Sequence, residues 1–329
     1  MKAVILNKNF QLEDGFTEKP IPKSNEVLIQ IKASGFNPID YQMLENELER
    51  RLISSPVLGR ELSGIIVGKG SEATQFNIGD EVYCGSGSMG SNGSYAEYIT
   101  APEDIVAFKP QNLSFEQAAA IPSTGLTALQ IFKRLKPSKE DSLLITGAAG
   151  GVGSFLIKFL IAHRYRKIIA TVGSEENRQM LLNIGLKNDQ IISYREENLS
   201  ENLFKANHNQ LFDIGIDLVG NRMSEITADL LKINGIYTDV TALVTPDAHE
   251  TLFNKGMLIM NISNYTYSMT KTYSYYRNGL NEIARLIENN MINPPNYKIM
   301  GSLSLETVLK AHSILKNNQT QGHKLIMQH

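Results

Sequence analysis

A chain of 329 residues, 42% apolar and 20% charged, is long enough for two domains of ordinary size, each with its own core. Its formal net charge of −2, without a long basic run, excludes an electrostatic draw toward nucleic acid or anionic lipid and points to a small-molecule partner. The single cysteine, Cys84, excludes an intramolecular disulfide and a thiolate zinc cluster.

The N-terminal MKAVILNKNFQLEDG meets charge after a few apolar residues, and no apolar run approaches the ~20 residues of a membrane span, so a cytoplasmic protein is expected. Residues 1 to about 110 predict a compact, barrel-like β domain. Apolar or alternating runs at 3–6, 27–33, 63–67, 81–84, 95–100 and 105–108 are punctuated by Gly, Pro and Asn, with no helix between most of them. The exception is 38–52, which is polar and helix-compatible. Gly85, Gly87 and Gly90 spell G-x-G-x-x-G, but SNGSYAEYIT follows and reads as strand, so this is a loop with no helix to offer a phosphate. At Ser114 the pattern changes. Ser114 and Gln117 make a capping box before an alanine-rich turn, Pro122 interrupts it, and 124–135 resumes with Leu126, Leu129 and Ile131 apolar.

The stretch 142–166 organises the rest. Leu143, Leu144 and Ile145 read as a buried strand, a Gly/Ala loop follows at 147–153, and Val152, Phe155, Leu156, Phe159 and Leu160 then recur at helical spacing. Strand, glycine turn and helix let backbone N–H groups and a helix N-terminus face a phosphate, which outlines a dinucleotide site. Ala148, Gly150 and Gly153 take the three fingerprint positions, the first as alanine. Strands at 168–172, 191–193, 214–219, 236–240 and 258–262, with helical patterns between most of them, predict a parallel sheet covered on both faces.

After Ser263 comes the aromatic NYTYSMTKTYSYYRNGL, either a stacking surface or helix packing, then a helix with Ile283, Leu286 and Ile287 on one face. Past Pro294 and Pro295 a short strand, a helix at 304–316 and a strand at 324–327 are too few to fold alone, and are expected to complete the first domain. The expected division is 1–122 with 264–329, and 123–263. The fold class is α/β: a β-barrel domain and a doubly wound parallel sheet.

Cofactor choice is stated at the end of the second strand, where an acid binds the ribose of NAD. Here the strand reads IIATV and Gly173, Ser174 and Arg178 follow without an acid at its end, so a 2′-phosphate meets a hydroxyl and a cation and NADP is favoured. Glu175 and Glu176 oppose this unless their side chains turn away, and they also suit the helix N-terminus. The six histidines are scattered, with no pair at i+4, and read as surface or structural residues rather than zinc ligands. No G-x-S-x-G elbow and no P-loop support hydrolysis or nucleotide triphosphate chemistry.

These residues carry a family resemblance. ASGFNPID at 33–40, LGRELSGIIVGKG at 58–70, GSYAEYI at 93–99, LSFEQAAAIPSTGLTAL at 113–129, GAAGGVGSF at 147–155 and ISYREENL at 192–199 occur in order along nearly the whole chain. The chain resembles the zinc-independent medium-chain dehydrogenase/reductases, in particular the quinone oxidoreductase branch related to zeta-crystallin. The resemblance implies a GroES-like β domain completed by the C-terminus, a Rossmann domain between, and NADPH as cofactor. Zinc-containing relatives carry cysteine at Asn37 and histidine at Arg60, so no metal site is implied. It places Asn37 and Asp40 at the substrate end, with Gln42 where many relatives have tyrosine. Thr127 is implied near the nicotinamide, Ala149, Gly150, Gly151 and Val152 at the pyrophosphate, and Ser174, Arg178 and Tyr194 around the 2′-phosphate. Asn177 replaces a common lysine and Asn318 an arginine. Taken singly, Asn37 and Pro38 also read as a turn, Asp40 as a helix cap and Tyr194 as a packed strand residue.

The expected function is therefore NADPH-dependent reduction of a quinone or related conjugated carbonyl by metal-free hydride transfer, with Asn37, Asp40 and Gln42 orienting the acceptor. The alternatives are an enone or enal reductase on the same framework and a non-catalytic NADPH-binding redox sensor. The resemblance also implies a homodimer formed through the Rossmann sheet edge, near the apolar 257–262.

Overall fold

The computed structural model describes every residue except Leu52, Ser88 and Gly90, and for Leu48 the backbone alone. Gly90 of the loop-borne glycine pattern and the last position of the 38–52 helix thus lie outside the described residues. The chain divides into two compact units, Met1–Leu126 with Tyr265–His329, and Thr127–Asn264.

The first unit is built on a seven-stranded sheet. Its path runs Tyr297–Ser302, Lys324–Gln328, Glu26–Gly35, Glu61–Lys69, Glu81–Cys84 and Val106–Phe108, with Tyr98–Pro102 also pairing onto Glu26–Gly35. The last strand, Lys324–Gln328, runs antiparallel to Glu26–Gly35 with Ile326 opposite Gly35, so residues from the two ends of the chain share one sheet. Lys2–Leu6 pairs separately with Leu12–Phe16. That second strand, LEDGF, was not expected. It lies on one partner only and is largely exposed, so it has no apolar alternation to reveal it. The run expected at 95–100 moves to Tyr98–Pro102, because Tyr95 and Ala96 turn inward and Ala96 bridges Ala3 instead.

Ser114 caps Phe115–Ala119: its Oγ accepts from the Gln117 N–H at 3.2 Å and its own N–H donates to Gln117 Oε1 at 3.0 Å. The helical pattern breaks after Ala119 as expected, and the next helix, Pro122–Leu135, begins at the proline rather than at 124, since the first helical position has no use for an N–H. The tyrosine-rich segment forms Tyr265–Met269 and Ser274–Glu288, with the rings of Tyr267 and Tyr275 stacked at 3.5 Å. Leu280, Ile283, Ala284 and Ile287 are its buried face, and the Tyr83 hydroxyl donates to Leu280 O at 2.6 Å.

The second unit is a six-stranded parallel sheet in the order Ile191–Ser193, Ile168–Val172, Leu143–Thr146, Phe212–Asp217, Leu231–Asp239, Leu258–Asn261. The chain lays two strands outward from Leu143–Thr146, then returns to its other side. The switch between Leu143–Thr146 and Phe212–Asp217 is where the carboxyl ends of such a sheet open a crevice for a ligand. Among the described residues no helix is long and apolar enough to cross a membrane.

Candidate functional site

The glycine loop lies at that switch point. Gly147 has φ +66°, and a Cβ on it would stand 2.8 Å from Val219 Cγ2. The left-handed residue of the turn is therefore Gly147, which leaves the first fingerprint position free to be Ala148, fully buried. Gly150 caps the helix Gly151–Ala162 from an extended conformation, φ −69° and ψ 171°. Gly153 is held by packing: a Cβ there would lie 2.7 Å from Ala148 Cα and from Gly147 O. Phe155, Leu156, Phe159 and Leu160 bury the helix against the sheet. Ala149, Gly150, Gly151 and Val152 thus form the loop and first turn, whose N–H groups have no intrahelical acceptor and no acidic side chain competing in that turn.

Behind the loop, Asp217 ties three strands together. Thr146 Oγ1 donates to Asp217 Oδ1 at 2.7 Å, the Tyr237 hydroxyl donates to Oδ2 at 2.7 Å, and the Val219 and Gly220 N–H groups donate to Oδ1 at 3.0 Å each. This is why the strand expected to reach 219 ends at Asp217. Sequence reading missed this buried carboxylate, since an acid closing an apolar strand looks like any loop residue.

At the end of Ile168–Val172, Ser174 Oγ accepts from the Asn177 N–H at 3.3 Å and caps Glu175–Ile184. The Tyr194 hydroxyl lies over Gly173, where any Cβ would collide with it, and Tyr194 is 46% exposed. Ser174 and Tyr194 therefore flank one turn. Arg178 is turned elsewhere, with Nη1 donating to Asn188 Oδ1 at 3.1 Å and Nε 3.6 Å from Glu175. Thr127 accepts from Asn264 Nδ2 at 2.9 Å.

In the first unit Asn37 precedes the helix Pro38–Glu45, and its N–H donates to Asp40 Oδ2 at 2.8 Å. Its side chain is clamped. Asn37 Nδ2 donates to Glu61 Oε1 at 3.0 Å, while Lys324 Nζ donates to Asn37 Oδ1 at 2.6 Å and pairs with Glu61 Oε1 at 2.5 Å. Glu61 Oε2 accepts from the Ser123 N–H at 2.8 Å. Register explains the meeting, because Glu61 and Ile326 both pair with Gly35. A Cβ at Gly35 would run into the Glu61 carboxylate, so the bare glycine makes the room.

Asp40 is wholly buried, and its Oδ1 has no hydrogen-bond partner among the described residues. Burial pushes its carboxyl up to about 6, outweighing the Asn37 N–H and the pull of Arg60 and Lys324. Beside it, burial and then Asp40 drive the Tyr95 phenol up, and burial drives the His312 imidazole down to about 4. Tyr95 Oη lies 3.2 Å from His312 Nε2, with Phe36 packed on both rings. Gln42, one residue before buried Met43, is half-buried and its amide makes no hydrogen bond among the described residues. Of the sequence-derived residues, Asn37 and Asp40 are joined directly; Glu61 and Lys324, which complete their setting, were not anticipated.

Residues 23–111 match the alcohol dehydrogenase GroES-like domain. A zinc-type alcohol dehydrogenase-like protein of Staphylococcus epidermidis is 29% identical over 99% of both chains. Quinone oxidoreductase of Escherichia coli, solved with NADPH, superposes with a TM-score of 0.84 at 26% identity, over 100% of this chain and 99% of that one. Along its whole length the chain is similar to medium-chain dehydrogenase/reductases. A second relative in sequence, 2-methylene-furan-3-one reductase of Solanum lycopersicum, is 31% identical over 75% of this chain and 63% of its own length. The observed fold, a GroES-like domain with a Rossmann-type parallel sheet, is the one expected.

Medium-chain dehydrogenase/reductases include zinc enzymes, so the donor set here is decisive. At the positions where the resemblance implies zinc ligands in zinc-containing relatives stand an amide, Asn37, and a guanidinium, Arg60. Of the carboxylates beside them, Glu61 is already occupied by Lys324, Asn37 and the Ser123 N–H, and Asp40 accepts from the Asn37 N–H. Among the described residues no three His, Cys, Asp or Glu side chains gather as a metal site. Cys84 is buried in its strand, with its thiol pushed up to about 12 by desolvation. These residues do not fit zinc.

Proposed function

We propose that this oxidoreductase reduces a quinone or another conjugated carbonyl with NADPH and without a metal. The observation that carries this reading is the presence in one chain of a complete dinucleotide loop and of a polar cluster whose side chains are unsuited to holding zinc. Ala149, Gly150, Gly151 and Val152 would cradle the pyrophosphate, Ser174 and Tyr194 the 2′-phosphate, and Thr127 the nicotinamide end. When bound, the reduced cofactor supplies the hydride. What the chain supplies is orientation. Lys324 and Glu61 dictate which way the Asn37 amide points, since a flip would set its NH2 against the ammonium and its oxygen against the carboxylate. One amide hydrogen remains beyond the bond to Glu61, and we assign it to the acceptor oxygen as negative charge develops there. Gln42, with its amide uncommitted, orients the acceptor. Asp40 holds the Asn37 backbone and acts as a positioning residue.

No acid ends the strand at Val172, which supports NADPH, as does the cofactor of the Escherichia coli quinone oxidoreductase. Arg178 reaches a 2′-phosphate only by leaving Asn188 and Glu175, both exposed partners worth little to it. The expected result is rapid oxidation of NADPH but not NADH in the presence of 1,4-benzoquinone, without added metal. Arg178→Gln should raise the KM for NADPH about tenfold, one lost charge-assisted contact, and leave the poor NADH rate unchanged. NADH consumed as readily as NADPH would overturn the cofactor assignment.

The tomato reductase, named for an exocyclic enone, favours C=C reduction as the second reading. Product analysis on a panel of quinones, enones and enals separates the two, and tight NADPH binding without turnover on any of them would favour a sensor. The sheet edge also supports a second copy of this chain as partner, because Leu258 and Ile259 on the outer strand are 62% and 39% exposed. Sedimentation should give twice the chain mass of 36.6 kDa, and a monomer at all concentrations would remove the dimer.

A further inference from the structure

The second unit holds a buried charge that the cradling of a cofactor leaves unused. Asp217 closes its strand in register with Thr146 on one side and Asp239 on the other, and is wholly buried. Its four hydrogen-bond donors, Thr146 Oγ1, the Tyr237 hydroxyl and the Val219 and Gly220 N–H groups, are all neutral. Four donors and no acceptor face it, so it is held as the anion. Asp239, 9% exposed, collects the Thr241 and Ala242 N–H groups at 2.9 Å each. Among the described residues neither carboxylate pairs with a Lys, Arg or His. Burial and then the Asp217 charge, with a smaller share from Asp239, drive the Tyr237 phenol up, and no cation offsets them. Hydrogen bonds satisfy the oxygens of a buried carboxylate without cancelling its charge, and at low dielectric its field reaches the neighbouring residues.

The loop that follows Asp217 borders the crevice. A Cβ on Gly147 would stand 2.8 Å from Val219 Cγ2 and 3.3 Å from Leu218 Cβ, so residues 218–220 lie against the glycine loop, with Val219 41% exposed. In the sheet, Ile168–Val172 is on one side of Leu143–Thr146 and Phe212–Asp217 on the other. A dinucleotide with its pyrophosphate on the glycine loop and its 2′-phosphate at Ser174 and Tyr194 therefore has its nicotinamide half toward Phe212–Asp217. The oxidised ring carries a positive charge that the reduced ring lacks. An anion without a counter-cation tells the two forms apart, whereas shape alone does not.

We infer that Asp217 makes the site prefer NADP+ to NADPH, through the uncompensated charge it holds behind the 218–220 loop. Resting on the dinucleotide reading above, this tunes the bound pair toward hydride donation, since a site that binds the oxidised form more tightly makes the reduced form the stronger reductant. Asp217 acts through the loop it holds and is a positioning residue.

The test is calorimetric titration of the full chain, without acceptor, with NADP+, with NADPH and with 2′,5′-ADP, which lacks the nicotinamide ring. The unaltered protein should bind NADP+ more tightly than NADPH, by about threefold or more. Asp217→Asn keeps an acceptor for Thr146, Val219 and Gly220, with Tyr237 turning from donor to acceptor, and so removes the charge alone. It should move the preference about tenfold toward NADPH and leave 2′,5′-ADP binding unchanged. A role limited to holding the loop would weaken both dinucleotides alike, so an unchanged ratio in Asp217→Asn would overturn the inference. Tighter binding of NADPH than of NADP+ by the unaltered protein would overturn it too, and that comparison needs no variant. Dinucleotides that bind in the wrong ratio leave the cofactor reading standing without this inference. If none of the three ligands binds, the cofactor reading itself falls and takes the inference with it.

Discussion

Lys324→Met should destabilise the first unit by about 3–5 kcal/mol, the cost typical of breaking a buried ion pair from one side. The side chain is similar in length, so the loss is electrostatic. Glu61, with no exposure at all, would keep its charge without the ammonium 2.5 Å away, and Asn37 Oδ1 and Phe36 O would lose their donor. Guanidinium unfolding, followed on the tyrosines of this unit, measures the effect. A second variant, Lys324→Met with Glu61→Gln, should recover much of the stability, because it removes the stranded charge while keeping an acceptor for the Ser123 N–H. It should not recover turnover, since nothing then holds the Asn37 amide in one orientation. A single variant as stable as the parent would show that the pair is dispensable, and would remove the orienting role assigned to it.

Asp40→Asn should make the protein more stable at pH 8 and leave it nearly unchanged at pH 4. Burial raises the folded-state value of Asp40 from 3.8 to about 6. The folded state therefore favours the uncharged carboxyl, and that advantage is complete below about pH 4 and lost as pH climbs through 6. Above that, a carboxylate sits enclosed by Tyr95, the Asn37 N–H and helix Pro38–Glu45, with Glu61 repelling it and Arg60 and Lys324 compensating only in part. A shift of this size corresponds to about 3 kcal/mol at most. Asparagine carries no charge and still accepts from the Asn37 N–H. Urea unfolding at pH 4, 6 and 8 should show the two proteins diverging with rising pH. Parallel curves would mean that Asp40 does not titrate in this range.

Much of the nucleotide-binding half was legible along the chain. The run from Leu143 to Leu160 contains its own strand, turn and helix, because each depends on neighbours within a few residues. Even the alanine at the first fingerprint position was harmless for a local reason, the left-handed turn having fallen one residue earlier, on Gly147. The capping box at Ser114 was read correctly, as it spans three residues. Pro122 marks the break read for it, between Phe115–Ala119 and Pro122–Leu135, but the second helix begins at the proline itself, two residues earlier than expected. Leu12–Phe16 escaped because backbone pairing at an exposed edge leaves no apolar signature.

By itself, then, the sequence determined the alternation of elements, the glycine loop, the absence of an acid at the end of IIATV and a residue inventory poor in zinc ligands. Only the tertiary structure decided how the polar groups are used. Lys324 reaches Asn37 across 287 residues, and Glu61 reaches it across 24, because two registers converge on the bare backbone of Gly35. It likewise turned Arg178 toward Asn188 and buried Asp40. No periodicity or spacing encodes these outcomes. Hydrogen bonds within a turn follow from the dihedral angles of adjacent residues, whereas the burial and pairing of a charge depend on what distant strands bring beside it.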